Sequence, residues 1–179
     1  MINFLTLDDI DLLSKGIPNA GEVLARSRRR DGQTVFLSHS HKDEKHLPLI
    51  ITILENHGAT VYVDVQDSTL PDAPSVETAQ ILRENLKACR KFIVFVTKAS
   101  KDSKWIPWEL GIGDGSKTPN NVAIIPAAQF EGDQAWAERE YLGLYDRIIW
   151  GNFTDKEPEW LVYNHHNNSA VALRLWLSR

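Results

Sequence analysis

The chain has 179 residues, 42% hydrophobic and 25% charged, a composition that favours one folded domain and excludes a disordered chain. A formal net charge of −4 gives no general attraction to nucleic acid or to anionic lipid, so neither is expected as a partner. The one cysteine, Cys89, excludes an internal disulfide, and no apolar run approaches the roughly 20 residues of a membrane span. The acidic N-terminal segment lacks a secretory pattern, which favours a cytoplasmic protein.

Residues 1–32 differ in pattern from the rest of the chain. Apolar residues from Leu5 to Leu13 predict a short amphipathic helix that ends near Gly16. A second helix is expected from Gly21 to Arg30, and its basic end is typical of a solvated helix C-terminus. We therefore expect an N-terminal helical extension over residues 1–32, whose role the sequence does not indicate.

From Thr34 onward, strand-like and helix-like segments alternate. The expected strands are Thr34–Ser38, Thr60–Val65, Lys91–Thr97, Val122–Ala127 and Ile148–Trp150, and the expected helices cover residues 44–56, 76–89, a segment that starts near Trp105, and 170–177. Such alternation is typical of right-handed βαβ units. It predicts an α/β fold of the flavodoxin-like kind, an open parallel five-stranded sheet with helices on both faces.

Three connecting segments leave the strands at the same edge of this expected sheet. They are Ser38–Asp43, Asp64–Ser75 and Thr97–Glu109. Ligands of open α/β sheets bind outside the carboxyl ends of the strands, so a binding site is expected where these segments meet.

Trp105 and Glu109 stand four residues apart, on one face of the helix expected to follow the third strand. An aromatic ring beside an anion suits a planar, cationic ligand such as a nicotinamide ring. The alternative is that Trp105 packs in the core and Glu109 faces solvent, as these residue types commonly do.

Other polar residues give weaker indications of a functional site. Asp64 ends the second strand, where it could orient a ribose or anchor the loop, or form a structural turn. His39, His41 and His46 are close in sequence, but no cysteine or second cluster completes a metal site, so no metal is expected. Cys89 closes an apolar helix face and is expected to be buried rather than reactive.

Several separated motifs resemble the Toll/interleukin-1 receptor (TIR) domain, in order and at ordinary spacing. Residues 35–43, with the sequence VFLSHSHKD, resemble its first strand and loop, and residues 61–64 its second strand. Residues 66–75 are similar to its BB loop, and residues 92–111 to its third strand and the helix that follows. The resemblance covers about residues 33–151, and we expect the TIR domain to span residues 33–179.

The resemblance implies an enzyme, because many TIR domains cleave NAD+ at the nicotinamide–ribose bond and leave ADP-ribose or a cyclic isomer. Their essential glutamate lies in a Trp-x-x-x-Glu pattern, which Trp105 and Glu109 match. Glu109 is thus the expected catalytic residue. Trp105 and Asp64 are expected to contact the substrate, together with residues at the end of the first strand, Phe36, Ser38 and His39. The resemblance implies NAD+ as the substrate and no cofactor.

Standalone bacterial TIR proteins act in antiphage systems such as Thoeris, in which the nucleotide product activates a separate effector. The resemblance implies the same role here, with a homo-oligomer as the active form, because related enzymes complete their pocket between subunits. Two alternatives stay open. One is a non-catalytic TIR scaffold, and the other is an enzyme similar to nucleoside deoxyribosyltransferases.

Overall fold

The computed structural model describes residues 4–28, 32–63, 76–103, 105–131, 133, 140–153 and 156–179. Within these residues the chain forms eight strands and six α-helices, joined by short 3-10 helices. In chain order they are β1 (Leu5–Thr6), α1 (Leu7–Ser14), α2 (Ala20–Ser27), β2 (Val35–Ser38), α3 (Leu47–Asn56), β3 (Val61–Val63), α4 (Val76–Ala88), β4 (Lys91–Val96), α5 (Trp105–Ser116), β5 (Val122–Ala128), β6 (Asp146–Gly151), β7 (Glu159–Asn164), β8 (Ser169–Ala172) and α6 (Leu173–Ser178).

The strands form one sheet in the order β3-β2-β4-β5-β6-β7-β8, and β1 pairs with β5. The strands from β3 to β6 are parallel, as the alternating sequence predicts, whereas β7 and β8 are antiparallel. The α/β fold class is confirmed. The described residues add β1, β7 and β8 to the five expected strands, so the sheet is larger and mixed at one side.

Successive residues of the central strands point to opposite faces of the sheet, and helices cover both faces as expected. Val35 and Leu37 of β2 belong to an apolar cluster with α1, α2, α3 and α6. Phe36 points to the other face, where α4 and α5 complete a second cluster. Because both faces are covered, β2 and β4 are buried along their whole lengths.

The N-terminal segment lies against the sheet. Leu5 and Thr6 pair with Ala127 and Ala128, and Ile10 and Val23 belong to the apolar cluster on one face. The Thr6 side chain accepts a hydrogen bond from the Asp9 backbone N–H, while the Asp9 carboxylate accepts one from the Thr6 N–H, a capping box that starts α1. The boundary at residue 32 stays a prediction.

Several expected elements have other bounds in the structure. The helix expected from Leu5 begins at Leu7, because Leu5 and Thr6 form β1, and the helix expected to reach Arg30 ends at Ser27.

Two more elements differ because of contacts with the rest of the fold. The helix expected over residues 170–177 begins only at Leu173, because residues 169–172 pair with β7 as β8. The helix expected over 44–56 begins at Leu47, after a 3-10 helix over His41–His46. In both places tertiary pairing or packing outweighs the local pattern. None of the helices that the structure describes is long and apolar enough to cross a bilayer.

Candidate active site

The expected edge of the sheet carries the candidate site. Strand β2 ends at Ser38, which lies opposite Val94 of the parallel strand β4. From β4 the chain enters a 3-10 helix over Lys98–Asp102 and then α5. The end of β2 and the start of α5 therefore meet at the carboxyl edge of the sheet, where α/β proteins bind ligands.

Helix α5 approaches the sheet closely because of Gly113. A Cβ atom at this position would lie 2.7 Å from Cδ1 of Phe92 in β4, a distance that side chains do not tolerate. Glu109 lies one turn before Gly113 and so shares the face of α5 that points at the sheet. The missing side chain at Gly113 thus allows the Glu109 carboxylate to reach the end of β2.

The structure brings Glu109 and Ser38 together. The Ser38 hydroxyl donates a hydrogen bond to Oε2 of Glu109, and only 8% of Glu109 is exposed. Glu109 is the fifth residue of α5, just beyond its first turn, and the helix dipole weakens there. The Ser38 hydroxyl is therefore a more direct donor to the carboxylate than the helix terminus is.

Trp105 starts α5 and keeps part of its surface exposed. Its ring meets the ring of Trp108 edge to face, with centroids 5.4 Å apart, and the guanidinium of Arg83 lies 5.2 Å from the Trp108 centroid. The Ser103 hydroxyl accepts hydrogen bonds from the backbone N–H groups of Trp105 and Ile106 and so caps the helix.

Phe36 lies beneath the site rather than in it. Its side chain is 0% exposed and packs between the rings of Tyr62 and Phe92, at centroid distances of 5.4 and 5.7 Å. In this position Phe36 has no surface to offer to a substrate, in contrast to the expected contact. The reason is strand alternation, which directs Phe36 into the cluster under α4 and α5.

His39 follows Ser38 directly and is 8% exposed. Burial, and after it the nearby His41 and Arg28, lower the pKa of His39 to about 4. The ring is therefore neutral at physiological pH, so it can offer a hydrogen bond but no positive charge to a phosphate. Its contact with substrate stays a prediction.

Asp64, the other expected substrate contact, lies outside the described residues, and so does the segment over residues 66–75 that is expected to resemble the BB loop. For the metal prediction, the part of the chain that the structure describes contains no group of three His, Cys, Asp or Glu side chains placed to hold an ion.

Asp43 is a site residue that the sequence reasoning passed over. It is 4% exposed and accepts hydrogen bonds from the hydroxyls of Thr97 and Ser100, which follow β4. A carboxylate at the end of the first-strand motif was the available signal. Its partners lie 54 and 57 residues away, so the sequence gives no direct sign of the contact.

A comparison with known families decides the family to which this fold belongs. A family model described as "TIR domain" matches residues 35–161, which include Ser38, Asp43, Trp105 and Glu109. The chain belongs to the TIR-domain family. The resemblance of the strand and helix motifs to TIR domains is thereby confirmed.

A curated relative of this TIR domain is similar over most of both chains. It is the protein of Bacillus cereus (strain MSX-D12) named "Probable 3' cyclic ADP-D-ribose synthase ThsB'", 35% identical over 147 residues. The match covers 81% of this chain and 75% of the relative, and it supports the expected likeness to standalone bacterial TIR proteins.

Proposed function

We propose that this TIR domain cleaves NAD+ at the bond between nicotinamide and C1′ of the ribose, and that the product is ADP-ribose or a cyclic isomer. The observation that carries the proposal is the buried Glu109 carboxylate, held by the Ser38 hydroxyl beside the partly exposed Trp105. The name of the Bacillus cereus relative favours a cyclic product.

Glu109 suits the chemistry of this bond. As the C–N bond breaks, its electron pair stays on nicotinamide and positive charge develops on the ribose, as in glycoside hydrolysis. A carboxylate held in a water-poor site stabilises that charge without having to reorganise during the reaction. Water then attacks C1′ to give ADP-ribose and a proton, or a nucleophile of the same ADP-ribosyl group attacks to give the cyclic isomer and a proton.

The surrounding residues have separate roles in the proposal. Trp105 packs against a ring of the substrate, Ser38 orients Glu109, and His39 and Asp64 complete the binding surface near the ribose. Phe36 supports the floor of the site from below, in agreement with its burial. The reaction uses NAD+ as its substrate and needs neither a metal nor a resident cofactor, because the carboxylate supplies the electrostatic stabilisation.

We further propose that the protein works in the cytoplasm as a homo-oligomer, and that its nucleotide product activates a separate effector in antiphage defence. The support for this setting is the TIR assignment and the likeness to the ThsB′ relative. If neighbouring subunits complete the pocket, turnover per subunit rises with protein concentration, whereas a site complete in one subunit gives constant turnover.

The test is chromatography of NAD+ incubated with the wild type, with Glu109→Gln and with the exposed control Glu157→Gln, each at low and high protein concentration. We expect the wild type and Glu157→Gln to release nicotinamide, and Glu109→Gln to lose about 100- to 1,000-fold in rate. Equal turnover by Glu109→Gln would remove Glu109 from the catalytic role. Absence of turnover in the wild type at every concentration would favour the non-catalytic scaffold.

A further inference from the structure

We propose that Asp43 is a positioning residue that fixes the first turn of α5, and with it Trp105 and Glu109, against the end of β2. This inference rests on the proposed function of Glu109, because positioning has a catalytic meaning only if that carboxylate acts on the substrate. Asp43 itself acts through other residues, since its carboxylate accepts hydrogen bonds from Thr97 and Ser100.

The contact joins the two segments that flank the site. Asp43 lies in the 3-10 helix after β2, five residues beyond Ser38. Its two carboxylate oxygens lie 3.0 and 2.9 Å from Oγ1 of Thr97, and Oδ2 lies 3.2 Å from Oγ of Ser100. Thr97 and Ser100 belong to the segment that leads from β4 into α5, so the buried carboxylate ties this segment to the one after β2.

Both hydroxyls donate to Asp43, and the Ser100 hydroxyl also lies 3.5 Å from the Phe95 carbonyl oxygen, a longer contact than the 3.2 Å to Asp43. Thr97 Oγ1 already accepts a hydrogen bond from the Ala99 backbone N–H, and Ser100 Oγ accepts one from the Thr97 N–H. Each hydroxyl has one proton, and each is directed at the carboxylate. Burial raises the pKa of Asp43, and the hydrogen bonds from Thr97 and Ser100 oppose that rise. An alanine here would leave two buried hydroxyl protons without this acceptor.

A continuous series of hydrogen bonds leads from Asp43 to α5. The Ser103 backbone N–H donates to the Ser100 carbonyl at 3.1 Å. The Ser103 hydroxyl in turn accepts from the N–H groups of Trp105 and Ile106, each at 3.3 Å. On the other side, Ser38 holds Glu109 directly. The end of β2 and the start of α5 are thus joined both by the Ser38–Glu109 contact and through Asp43.

A second contact between the same segments provides a matched control. Lys42, next to Asp43, forms an ion pair with Asp102 at 3.1 Å, but both side chains are mostly exposed. Exposed pairs of this kind contribute little to stability, because solvent and salt screen them. We therefore assign the alignment of the two segments to the buried Asp43 and expect Lys42→Met to change little.

The experiment compares Asp43→Ala, Asp43→Asn and Ser100→Ala with Lys42→Met and with Leu173→Ala, a core variant at the start of α6. NAD+ turnover is measured per folded molecule, well below the unfolding temperature of each variant. A small misplacement of a catalytic group costs up to about 100-fold, so we expect a fall in kcat of this order for Asp43→Ala. Asparagine keeps one acceptor oxygen, so we expect Asp43→Asn to recover part of the loss.

Backbone amide exchange over residues 103–109 gives a readout that does not require activity. We expect faster exchange there in Asp43→Ala and Ser100→Ala, and wild-type rates in Leu173→Ala, whose destabilisation is remote. If Asp43→Ala fails to fold, Asp43→Asn and Ser100→Ala serve in its place.

The outcomes separate this inference from the proposed function. If Glu109→Gln is inactive but Asp43→Ala, Asp43→Asn and Ser100→Ala keep the wild-type kcat per folded molecule, the positioning role is wrong while the function stands. If the wild type shows no turnover, the function fails, and amide exchange alone decides whether Asp43 orders the start of α5. Wild-type exchange over residues 103–109 in the Asp43 variants overturns the inference in either case.

Discussion

The Ser38 hydroxyl donates a hydrogen bond to the Glu109 carboxylate, although the two residues lie 71 positions apart in the chain. One belongs to the last position of β2 and the other to the second turn of α5. Neither side chain has much contact with solvent. The contact gives the carboxylate a defined orientation before any substrate arrives, which is the condition for electrostatic stabilisation of a developing charge.

Replacing Ser38 by alanine tests this contact. A hydrogen bond to a charged group contributes about 1.5–3 kcal/mol, so its loss corresponds to roughly a 10- to 100-fold lower kcat/KM if the whole contribution is made in the transition state. Steady-state kinetics with NAD+ measures the change, and circular dichroism checks the fold. A Ser38→Ala enzyme with wild-type kcat/KM would show that Glu109 is oriented by other contacts.

A side chain at Gly113 is expected to push α5 away from the sheet. In Gly113→Ala the new methyl group would meet the buried ring of Phe92 at 2.7 Å, so we expect a loss of about 1–3 kcal/mol in the free energy of unfolding and lower NAD+ turnover. Denaturant unfolding provides the measurement.

The matched control for Gly113 is Gly111→Ala, in the same helix. A Cβ atom at Gly111 meets nothing within 4 Å, so alanine should leave stability unchanged or raise it by up to about 1 kcal/mol. Equal effects of the two substitutions would mean that helix propensity, and not contact with Phe92, determines the result.

His39 predicts a loss of stability in acid. Its pKa is lowered to about 4 in the folded chain, so between pH 6.5 and 4 the unfolded chain binds a proton that the folded chain does not. The contribution of His39 to the free energy of unfolding is therefore complete above pH 6.5 and decreases as the pH falls, by about 2 kcal/mol at pH 5. Unfolding of wild type and His39→Gln at pH 7.5 and 5 measures the difference. An identical pH dependence in both proteins would contradict the assignment.

We expect the thiol of Cys89 to react slowly with thiol reagents in the folded protein. The side chain is buried, and burial raises the pKa of the thiol to about 11, so only about one molecule in a thousand carries a thiolate at pH 8. We expect a colorimetric disulfide reagent to modify Cys89 quickly after unfolding and far more slowly before it. Rapid modification of the native protein would show that the thiol is accessible.

The sequence predicted the central sheet well, because its signals are local and repeated. The apolar run Lys91–Val96 has a buried position in the middle of the sheet, as its composition indicates. Strands β1, β7 and β8 were missed, and two of them, β1 with two residues and β8 with four, are too short to show a period. The capping box of Thr6 and Asp9 was visible in the sequence and would have placed the start of α1 correctly.

The candidate site was predicted unevenly. The spacing of Trp105 and Glu109 places both on α5 at the carboxyl edge of the sheet, where the structure has them. The TIR resemblance put Phe36 in contact with substrate, but strand alternation turns its side chain into the core, and a fully buried run does not reveal which of its residues faces a ligand. The role of Asp43 depends on the hydroxyls of Thr97 and Ser100, which follow β4. These residues are distant in the chain and come close to Asp43 only in the folded protein.

The pairing of β1 with β5 has a practical consequence for shortened versions of this protein. Strand β1 pairs with β5 at Ala127 and Ala128, beyond the residues of β5 that pair with β4 and β6. A chain that begins at residue 33 would lack β1, so the backbone groups of Ala127 and Ala128 could pair with another molecule. It would also uncover the apolar surface that Ile10 and Val23 contact. Truncation there would favour aggregation, and any loss of activity would then reflect insolubility and not a missing catalytic group.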